Sequence, residues 1–254
     1  MKKILLTVFT IIILLFSQIY INFAEEVSNK NGAIFSDIDL SHKNFSAIQF
    51  LKNIEIIKGY PDGTFKPKNP VVRAEIAKIL VEAKMMLKNG KFTIGEKGGI
   101  FIQNDVSQEI TLGNYKNCFS DVTNQWFAPY VCYAKELGWI NGYPDGTFKP
   151  ENEVAKVEAV KMIININGLN VNEPGKIKIY EDTKVDVWYN DYLQSAFQIN
   201  LLEEIGGKFN PGIGMTRETL SEMIFRAITL KMTKEEVFSS SLGRKIENIQ
   251  VLKK

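Results

Sequence analysis

Three basic residues at matching positions are the side chains in this sequence best placed to do chemistry. Arg73, Lys156 and Arg217 each stand in the first turn of a segment with helical apolar periodicity. A helix N-terminus already carries partial positive charge, so a base there costs a few tenths of a kcal/mol, up to about 1 kcal/mol, unless an anion lies close by. The sequence therefore predicts either an anion site at these helix starts or ion pairs with carboxylates of a neighbouring segment. The candidate carboxylates for such pairs are Asp37, Asp121 and Asp182.

Two tryptophans supply aromatic surface near these bases. Trp126 and Trp188 each stand just before a helical segment, and each is followed by a tyrosine, Tyr130 after the first and Tyr192 after the second. Large aromatic side chains often pack between elements, and the flat face of a tryptophan also stacks on sugar rings. The sequence leaves both uses open for the two tryptophans.

Residues that could carry catalysis are scarce. His42 is the only histidine, and the sequence has no GxSxG, HExxH, P-loop or dinucleotide-binding motif. The Pro-Asp-Gly turns lack the alternating Asp/Asn ligands and the distal Glu of calcium loops. The formal charge of +2 comes from Lys2 and Lys3, so the rest of the chain is close to neutral and has no basic field for nucleic acid. We therefore expect a non-enzyme with no metal, no cofactor and no nucleic-acid partner.

A repeated nonapeptide indicates the elements that position these residues. Gly-Tyr-Pro-Asp-Gly-Thr-Phe-Lys-Pro occurs at residues 59–67 and again at 142–150, and a degenerate third copy occupies 204–211. Each copy follows one amphipathic segment and precedes another, so the unit is a helix, a short extended loop and a second helix. The pattern predicts repeats at residues 35–90, 118–170 and 179–232.

The three units are too small to be stable separately, so they should share one core. The predicted fold is mainly α, with three helix-loop-helix repeats closed into a pseudo-threefold bundle; an open solenoid is the alternative. Residues 91–117 form an insertion or linker, in which two β-prone stretches flank a Gly-rich turn and predict a small β-hairpin. The tail, residues 233–254, is predicted to be a loose helix or disordered.

The N-terminus and the two cysteines are typical of an exported protein. Lys2 and Lys3 precede a run of uncharged residues, and residues 1–24 are predicted to be either a cleaved signal peptide or a retained membrane anchor. Cys118 and Cys132 stand 14 residues apart at the start of the second repeat. In an exported protein they can form a disulfide, and the alternative is a pair of buried thiols.

Four motifs that recur in order together resemble the S-layer homology domain. They are Phe-Ser-Asp-Val at 119–122, Trp-Phe-x-x-Tyr at 126–130, the nonapeptide, and the Arg-Ala-Glu helix start at 73–75. The resemblance covers residues 35–230 in three copies. It implies a module, arranged like a trimer within one chain, that binds cell-wall polysaccharide in grooves between adjacent repeats. The polymer bound by that family is often acidic and pyruvylated.

The resemblance also implies the residues that form these grooves. The base at each helix start contacts the acidic sugar, and the opening aspartates, the tryptophans and the loop glycines are groove candidates. In this sequence the positions are Arg73, Lys156, Arg217, Asp37, Asp121, Asp182, Trp126, Trp188, Gly59 and Gly142. Lys156 keeps the charge of an arginine but lacks its two-pronged grip on a carboxylate. Glu204 stands at the glycine position of the third loop and puts an acid where an anionic ligand would approach.

Residues and resemblance together predict an exported, non-catalytic protein of the bacterial cell envelope that attaches to anionic wall polysaccharide. A structural or protein-binding component of the surface layer, without glycan binding, is the alternative. The expected partners are cell-wall polysaccharide and S-layer or other surface proteins. The membrane is a partner only through an uncleaved N-terminal segment.

Overall fold

The computed structural model describes residues 34–94, 100–104, 115–169, 177–202, 207–247 and 250–252. The expected leader, residues 1–24, and Glu204 lie outside these ranges. None of the helices in the described ranges is long and apolar enough to cross a membrane.

The fold is mainly helical, as predicted, and the helices come in pairs. In chain order the elements are α1 (Phe45–Asn53), α2 (Arg73–Asn89), β1 (Gly90–Ile94), β2 (Ile100–Asn104), α3 (Ala128–Glu136), α4 (Lys156–Asn167), α5 (Asn190–Gln198), α6 (Arg217–Thr233), α7 (Ser240–Glu247) and β3 (Gln250–Leu252). The pairs α1–α2, α3–α4 and α5–α6 are the three helix-loop-helix repeats.

Local sequence signals account for several of the helix ends. Pro129 lies in the first turn of α3, where its missing N–H removes no intrahelical hydrogen bond. Glu158 accepts a hydrogen bond from the N–H of Ala155 just before α4, which is half of a capping box. Gly168 ends α4 in the left-handed conformation, with φ of 56°.

Three backbone hydrogen bonds close the repeats into a ring. The N–H of Val71 donates to the carbonyl of Met215 at 2.8 Å, that of Met215 to Val154 at 2.8 Å, and that of Val154 to Val71 at 3.0 Å. Each of these residues stands just before the second helix of its repeat, and all three are buried. The ring joins the third repeat directly to the first, so the repeats form a closed pseudo-threefold bundle and not an open solenoid.

The insertion forms the predicted β-hairpin, to which the C-terminus adds a strand. β1 and β2 pair antiparallel, from Gly90 opposite Asn104 to Ile94 opposite Ile100. β3 then pairs parallel to β2, so that the sheet order is β1-β2-β3. The two segments between and after the repeats therefore meet in one small sheet.

The tail is more ordered than the sequence predicted. Its helix α7 buries Leu242 and Ile246, and Phe238 just before it is also buried, with its ring centre 6.2 Å from that of Phe225 in α6. These three residues follow one another at intervals of four, which places them on one side of a helical segment. Of the two predicted states of the tail, the structure has the helix, at Ser240–Glu247, and this apolar spacing gives that helix a face to bury.

Cys118 and Cys132 form a disulfide, with their Cα atoms 5.3 Å apart. The bond joins the segment that opens the second repeat to the middle of α3, and Cys132 is itself buried. A cross-link stabilises the fold mainly by restricting the unfolded chain. Here it fixes the first helix of the second repeat to its preceding loop.

Asp62 and Asp145 organise the two Pro-Asp-Gly turns in the same way. In each turn the carboxylate accepts hydrogen bonds from the N–H and the hydroxyl of the threonine two residues later, at 3.0 and 2.6 Å. The hydroxyl bond is the largest cause of a lowered pKa, which falls to about 2 for both aspartates.

These turns should lose stabilisation in acid. Because the pKa of each folded-state carboxyl lies below its ordinary value, both groups stabilise the fold fully above about pH 4 and progressively less as the pH falls through their folded-state pKa. A carbon-13 NMR titration of the side-chain carboxyls should find the pKa of Asp62 and Asp145 near 2. Thr64→Val and Thr147→Val should each raise the pKa of the neighbouring aspartate. Ordinary pKa values in the unsubstituted protein would show that the hydroxyl bonds do not persist in solution.

Candidate functional site

Each repeat opens with an aspartate that binds the loop of the same repeat. Asp37 accepts hydrogen bonds from the N–H groups of Phe65 and Lys66, both at 2.7 Å. Asp121 and Asp182 make the same pair of bonds at 2.7 to 2.8 Å. The second amide of each pair belongs to a residue in the left-handed conformation, namely Lys66, Lys149 and Asn210. The aspartates therefore hold the loops in shape, and in the described ranges none of them forms an ion pair with a helix-start base. The predicted pairing with a carboxylate of a neighbouring repeat occurs instead at Arg73, whose Nη1 lies 3.7 Å from Oε2 of Glu158.

The helix-start bases join neighbouring repeats instead. Arg73 donates from Nε to the carbonyl of Phe148 at 2.8 Å and from Nη2 to the carbonyl of Asn141 at 3.2 Å. Arg217 makes the equivalent two bonds, at 2.8 and 3.0 Å, to the loop of the first repeat. Lys156 makes one such bond, at 3.2 Å. Both arginines are buried, with 5% and 9% of their surface exposed, and each uses its Nε and Nη2 atoms for these contacts between repeats.

The backbone at these helix starts is also satisfied by neighbouring repeats. The first two N–H groups of α2, α4 and α6 each donate to a loop carbonyl of the next repeat around the bundle, at 2.9 to 3.3 Å. The acceptors are Asn152 and Pro150 for α2, Ile213 and Pro211 for α4, and Asn69 and Pro67 for α6. The expectation that free N–H groups converge on an anion at these helix starts is therefore wrong, because adjacent loops already occupy them.

Gly59 and Gly142 lie where the loop backbone passes an aromatic ring. A Cβ atom at Gly59 would stand 2.4 Å from the ring of Phe35, and one at Gly142 would stand 2.3 Å from the ring of Phe119. Each of these rings stacks on the loop phenylalanine of its repeat. Packing against the opening segment thus accounts for both glycines.

A groove of about 190 Å³ lies where the three repeats meet. The first repeat contributes Arg73, the second contributes the loop around Tyr143 and one side of α4, and the third contributes Trp188. We call this cavity the Trp188 groove. On α4 its lining residues include Glu158, Lys161 and Asn165. Nη1 of Arg73 lies 3.7 Å from Oε2 of Glu158, so these two opposite charges face each other at the groove wall.

The two predicted tryptophans lie largely in solvent. Trp126 is 58% exposed and Trp188 is 55% exposed, which excludes a role in the core for both. Nζ of Lys161 lies 5.2 Å from the ring centre of Trp188 and 5.5 Å from that of Tyr192. The ammonium group of Lys161 therefore lies over the aromatic rings at the third repeat's edge of the Trp188 groove.

The same elements recur at the next junction around the bundle. There Tyr130 of α3 lies beside α2, with Nζ of Lys78 5.7 Å from its ring centre, and Trp126 stands four residues before Tyr130 in the chain. We call this the Trp126 site. Arg217 donates to the carbonyl of Lys58, which belongs to the same repeat as α2.

The third junction is different. Its cavity, of about 70 Å³, is lined by Lys43, Lys156 and Lys208 together with apolar residues. Lys43 precedes α1 by two residues, as Trp126 precedes α3 and Trp188 precedes α5, so a lysine occupies the tryptophan position here. The three sequence-predicted bases therefore lie at three junctions of unequal composition.

Lys161 is a groove residue that the sequence did not single out. Lys161 stands in mid-helix, where a lysine normally lies on a solvated face, and its spacing from the loop carries no motif. The available signal was its distance from the base that begins the same helix, since Lys161 stands five residues after Lys156 in α4. The residue five positions after the helix-start base is Lys78 in α2 and Glu222 in α6. A comparison of the three repeats would therefore have marked this position as variable.

Comparisons with known proteins agree with the repeat structure. The family model for the S-layer homology domain matches residues 34–77 and 119–159, which run from the opening segment of the first two repeats into α2 and α4. The third unit, from Tyr180, lies outside these matches and shares the aspartate clamp and the buried arginine described above.

Three curated relatives extend the match along the chain. "Cell surface glycoprotein 1" of Acetivibrio thermocellus is 30% identical over 71% of this chain and 7% of its own length. "Cellulosome-anchoring protein" of the same organism is 30% identical over 68% of this chain and 34% of its own length. "Middle cell wall protein" of Brevibacillus brevis is 24% identical over 91% of this chain and 18% of its own length. This chain thus spans about a third or less of the relatives that it matches. With its two matched repeats and their closed arrangement, the chain is an S-layer homology domain protein.

Proposed function

We propose that this protein is a non-catalytic module that attaches to anionic cell-wall polysaccharide through the Trp188 groove. Its location is the cell envelope, outside the cytoplasmic membrane, as it is for its S-layer and cell-wall relatives. A role in anchoring at the cell surface fits the relatives that carry the same domain. We further propose that the third unit is a diverged S-layer homology repeat, because it keeps the clamp of Asp182 and the interface arginine Arg217.

The observation that carries the proposal is the exposed face of Trp188 beside Lys161 in a groove shared by all three repeats. A sugar ring offers a flat array of C–H groups that packs on an indole face, and a lysine ammonium binds an anionic substituent on that ring. A single contact of this kind is weak.

The groove has little of what hydrolysis of a glycan requires. Glycosidases use two carboxyl groups on either side of the bond to be cleaved, about 5 to 9.5 Å apart. The carboxylate at the wall of the Trp188 groove is Glu158, which faces Arg73 and accepts a bond from the N–H of Ala155. In the described ranges no group of three or more His, Cys, Asp or Glu residues is placed to hold a metal. Binding without chemistry is therefore the function that this groove supports best.

Trp188→Ala should weaken attachment to purified cell wall by about tenfold, because a stacking surface of this size contributes roughly 1 to 1.5 kcal/mol. The measurement is sedimentation of the protein with wall from a bacterium that carries an S-layer, over a range of protein concentrations. Wall whose carboxyl groups have been amidated tests the requirement for negative charge, and it should retain much less of the unsubstituted protein.

Leu40→Ala is the matched control, because Leu40 is 64% exposed and lies outside the residues that line the groove. Binding that survived amidation undiminished would contradict an anionic ligand. If the unsubstituted protein did not sediment with wall at all, the chain would instead be a structural or protein-binding component of the surface layer.

A further inference from the structure

We infer that Asn141 is a site of spontaneous deamidation, and that this modification places a carboxylate in the Trp188 groove and weakens attachment to the wall as the protein ages. The reactive site follows from the fold and from the chemistry of the residue pair Asn141–Gly142. Its effect on attachment rests in addition on the proposed function.

Asparagine followed by glycine is the pair most prone to this reaction, because glycine has no side chain to hinder attack by its own backbone nitrogen. The chain contains four such pairs, which begin at Asn31, Asn89, Asn141 and Asn167. The structure describes both residues and their surroundings for the last two pairs. These two share the same chemistry and differ in environment, so a difference between them is due to the fold.

The reaction consumes water and needs no other reactant. The backbone nitrogen of Gly142 loses its proton and attacks Cγ of Asn141, the bond between Cγ and Nδ2 breaks, and Nδ2 leaves as ammonia with that proton. Water then opens the cyclic imide. Opening at Cγ gives aspartate, and opening at the backbone carbonyl carbon gives isoaspartate, in which the chain runs through Cβ and Cγ. Either product carries a carboxylate in place of a neutral amide.

The surroundings of Asn141 leave both reacting groups available. Asn141 is exposed, and within the described ranges neither its side-chain amide nor the N–H of Gly142 makes a hydrogen bond. Nη2 of Arg73 donates to the carbonyl of Asn141 at 3.2 Å. That carbonyl belongs to the same peptide group as the nitrogen of Gly142. The cation therefore stabilises the anion that forms when this nitrogen loses its proton.

The pair Asn167–Gly168 is protected at the same points. Asn167 is 4% exposed, and its Nδ2 donates to the carbonyl of Ile163 at 2.9 Å. The N–H of Gly168 donates to the carbonyl of Asn165 at 3.1 Å, at the C-cap of α4. Attack at this pair requires the end of the helix to open first. We therefore expect the folded protein to react at Asn141 well before Asn167.

A carboxylate at position 141 changes the Trp188 groove directly, because Asn141 is one of the residues that line it. The new charge joins that of Glu158 on the groove wall and repels an anionic ligand. In the isoaspartate product, the carbonyl that accepts the hydrogen bond from Arg73 itself becomes the carboxylate. Both effects act against the binding of an anionic polymer.

The rates of deamidation test the site. The freshly purified full chain is incubated in mildly alkaline buffer, and the peptides that contain Asn141 and Asn167 are followed by mass spectrometry after rapid digestion in acid. In the folded protein Asn141 should react at least about tenfold faster than Asn167, which must wait for a local opening. In urea the two pairs should react at similar rates. Equal rates in the folded protein, or no reaction at Asn141, would overturn the inference.

Sedimentation with cell wall tests the consequence. Asn141→Asp should weaken attachment by about threefold or more, since it places the product charge in the groove. Asn69→Asp is the matched control, because Asn69 is exposed and does not line the groove, and its effect should stay within about twofold. Attachment of the unsubstituted protein should fall with age in proportion to the modified fraction. Aged Asn141→Gln, which lacks the fast reaction, should attach as its own fresh sample does.

The outcomes separate the inference from the proposed function. If Asn141 reacted as expected and aged protein attached as well as fresh protein, the effect on the groove would be wrong. Equal weakening by Asn69→Asp would assign the effect to total charge and would also overturn it. The unfolding temperature of Asn141→Asp shows whether the variant keeps its fold. If fresh protein did not sediment with wall at all, the proposed function would be rejected, while the two rates would still decide whether the reactive site exists.

Discussion

Arg217→Ala should lower the free energy of unfolding by about 4 kcal/mol, because it removes a buried side chain and leaves the buried carbonyl of Phe65 and the part-buried carbonyl of Lys58 without their charged donor. The guanidinium donates to Phe65 at 2.8 Å and to Lys58 at 3.0 Å, and it lies 4.6 Å from the centre of the Phe65 ring. Both carbonyls belong to the first repeat, whereas Arg217 begins α6 of the third. The substitution therefore acts on the contact that closes the ring.

Denaturation by urea measures this loss, and the midpoint of thermal unfolding should fall by roughly 10 °C for a protein of this size. Lys156→Ala is the matched control, since Lys156 holds the same position in the second repeat with one hydrogen bond at 3.2 Å and is only half buried. It should cost about 1 kcal/mol. Equal losses for the two substitutions would contradict the role of the arginine as a buried connector.

This result would also change how a binding defect is interpreted. A variant that lacks Arg73 and Arg217 is the obvious test of glycan recognition from sequence, yet both residues hold repeats together. Loss of wall binding in such a variant would reflect a weakened bundle. At a temperature where Arg217→Ala remains folded, it should bind wall normally through the Trp188 groove, because Arg217 does not line that groove.

Gly142→Ala should destabilise the protein by about 3 kcal/mol, near the upper end of the usual cost of overpacking. The new Cβ would lie 2.3 Å from the ring of Phe119 and 2.6 Å from the carbonyl oxygen of Thr147, and the second of these atoms is backbone. Relief would require the loop to separate from the opening segment, where Phe119 stacks on Phe148. Gly59→Ala should behave in the same way, against Phe35 and the carbonyl of Thr64.

Gly212→Ala is the control for both substitutions. Gly212 also lies in a loop between two helices, but nothing stands within 4 Å of the Cβ that alanine would add. Its effect should stay within about 0.5 kcal/mol. Urea denaturation of the three variants decides the matter, and a Gly142→Ala protein as stable as Gly212→Ala would show that the close approach does not exist in solution.

The fold was predictable because its information is repeated in the sequence. Helix spacing, the nonapeptide and the Gly-rich turn of the insertion are local signals, and they led to the helices, the closed bundle and the hairpin. The sequence left the tail open between a loose helix and disorder because its apolar residues, Phe238, Leu242 and Ile246, are few, and their burial depends on contacts distant in sequence, such as that of Phe238 with Phe225 of α6.

The site was harder to predict because its partners are distant in sequence. The bases at the helix starts were identified, but the carbonyls that occupy Arg73 and Arg217 come from loops 68 to 159 residues away. No spacing rule reports such contacts. Lys161 was overlooked for the opposite reason, since its lack of an ion-pair partner within the described ranges depends on one uncharged residue, Asn165, that carries no motif.

The ring formed by Val71, Val154 and Met215 has a consequence for how such proteins can lengthen. Each of the three residues gives one N–H and receives at one carbonyl, so each N–H of the ring already has its partner. A fourth repeat could enter this ring only by breaking one of its hydrogen bonds, whereas an extra repeat can be added to the end of a solenoid without breaking any. A longer chain that keeps the ring intact would therefore carry its additional repeats outside it.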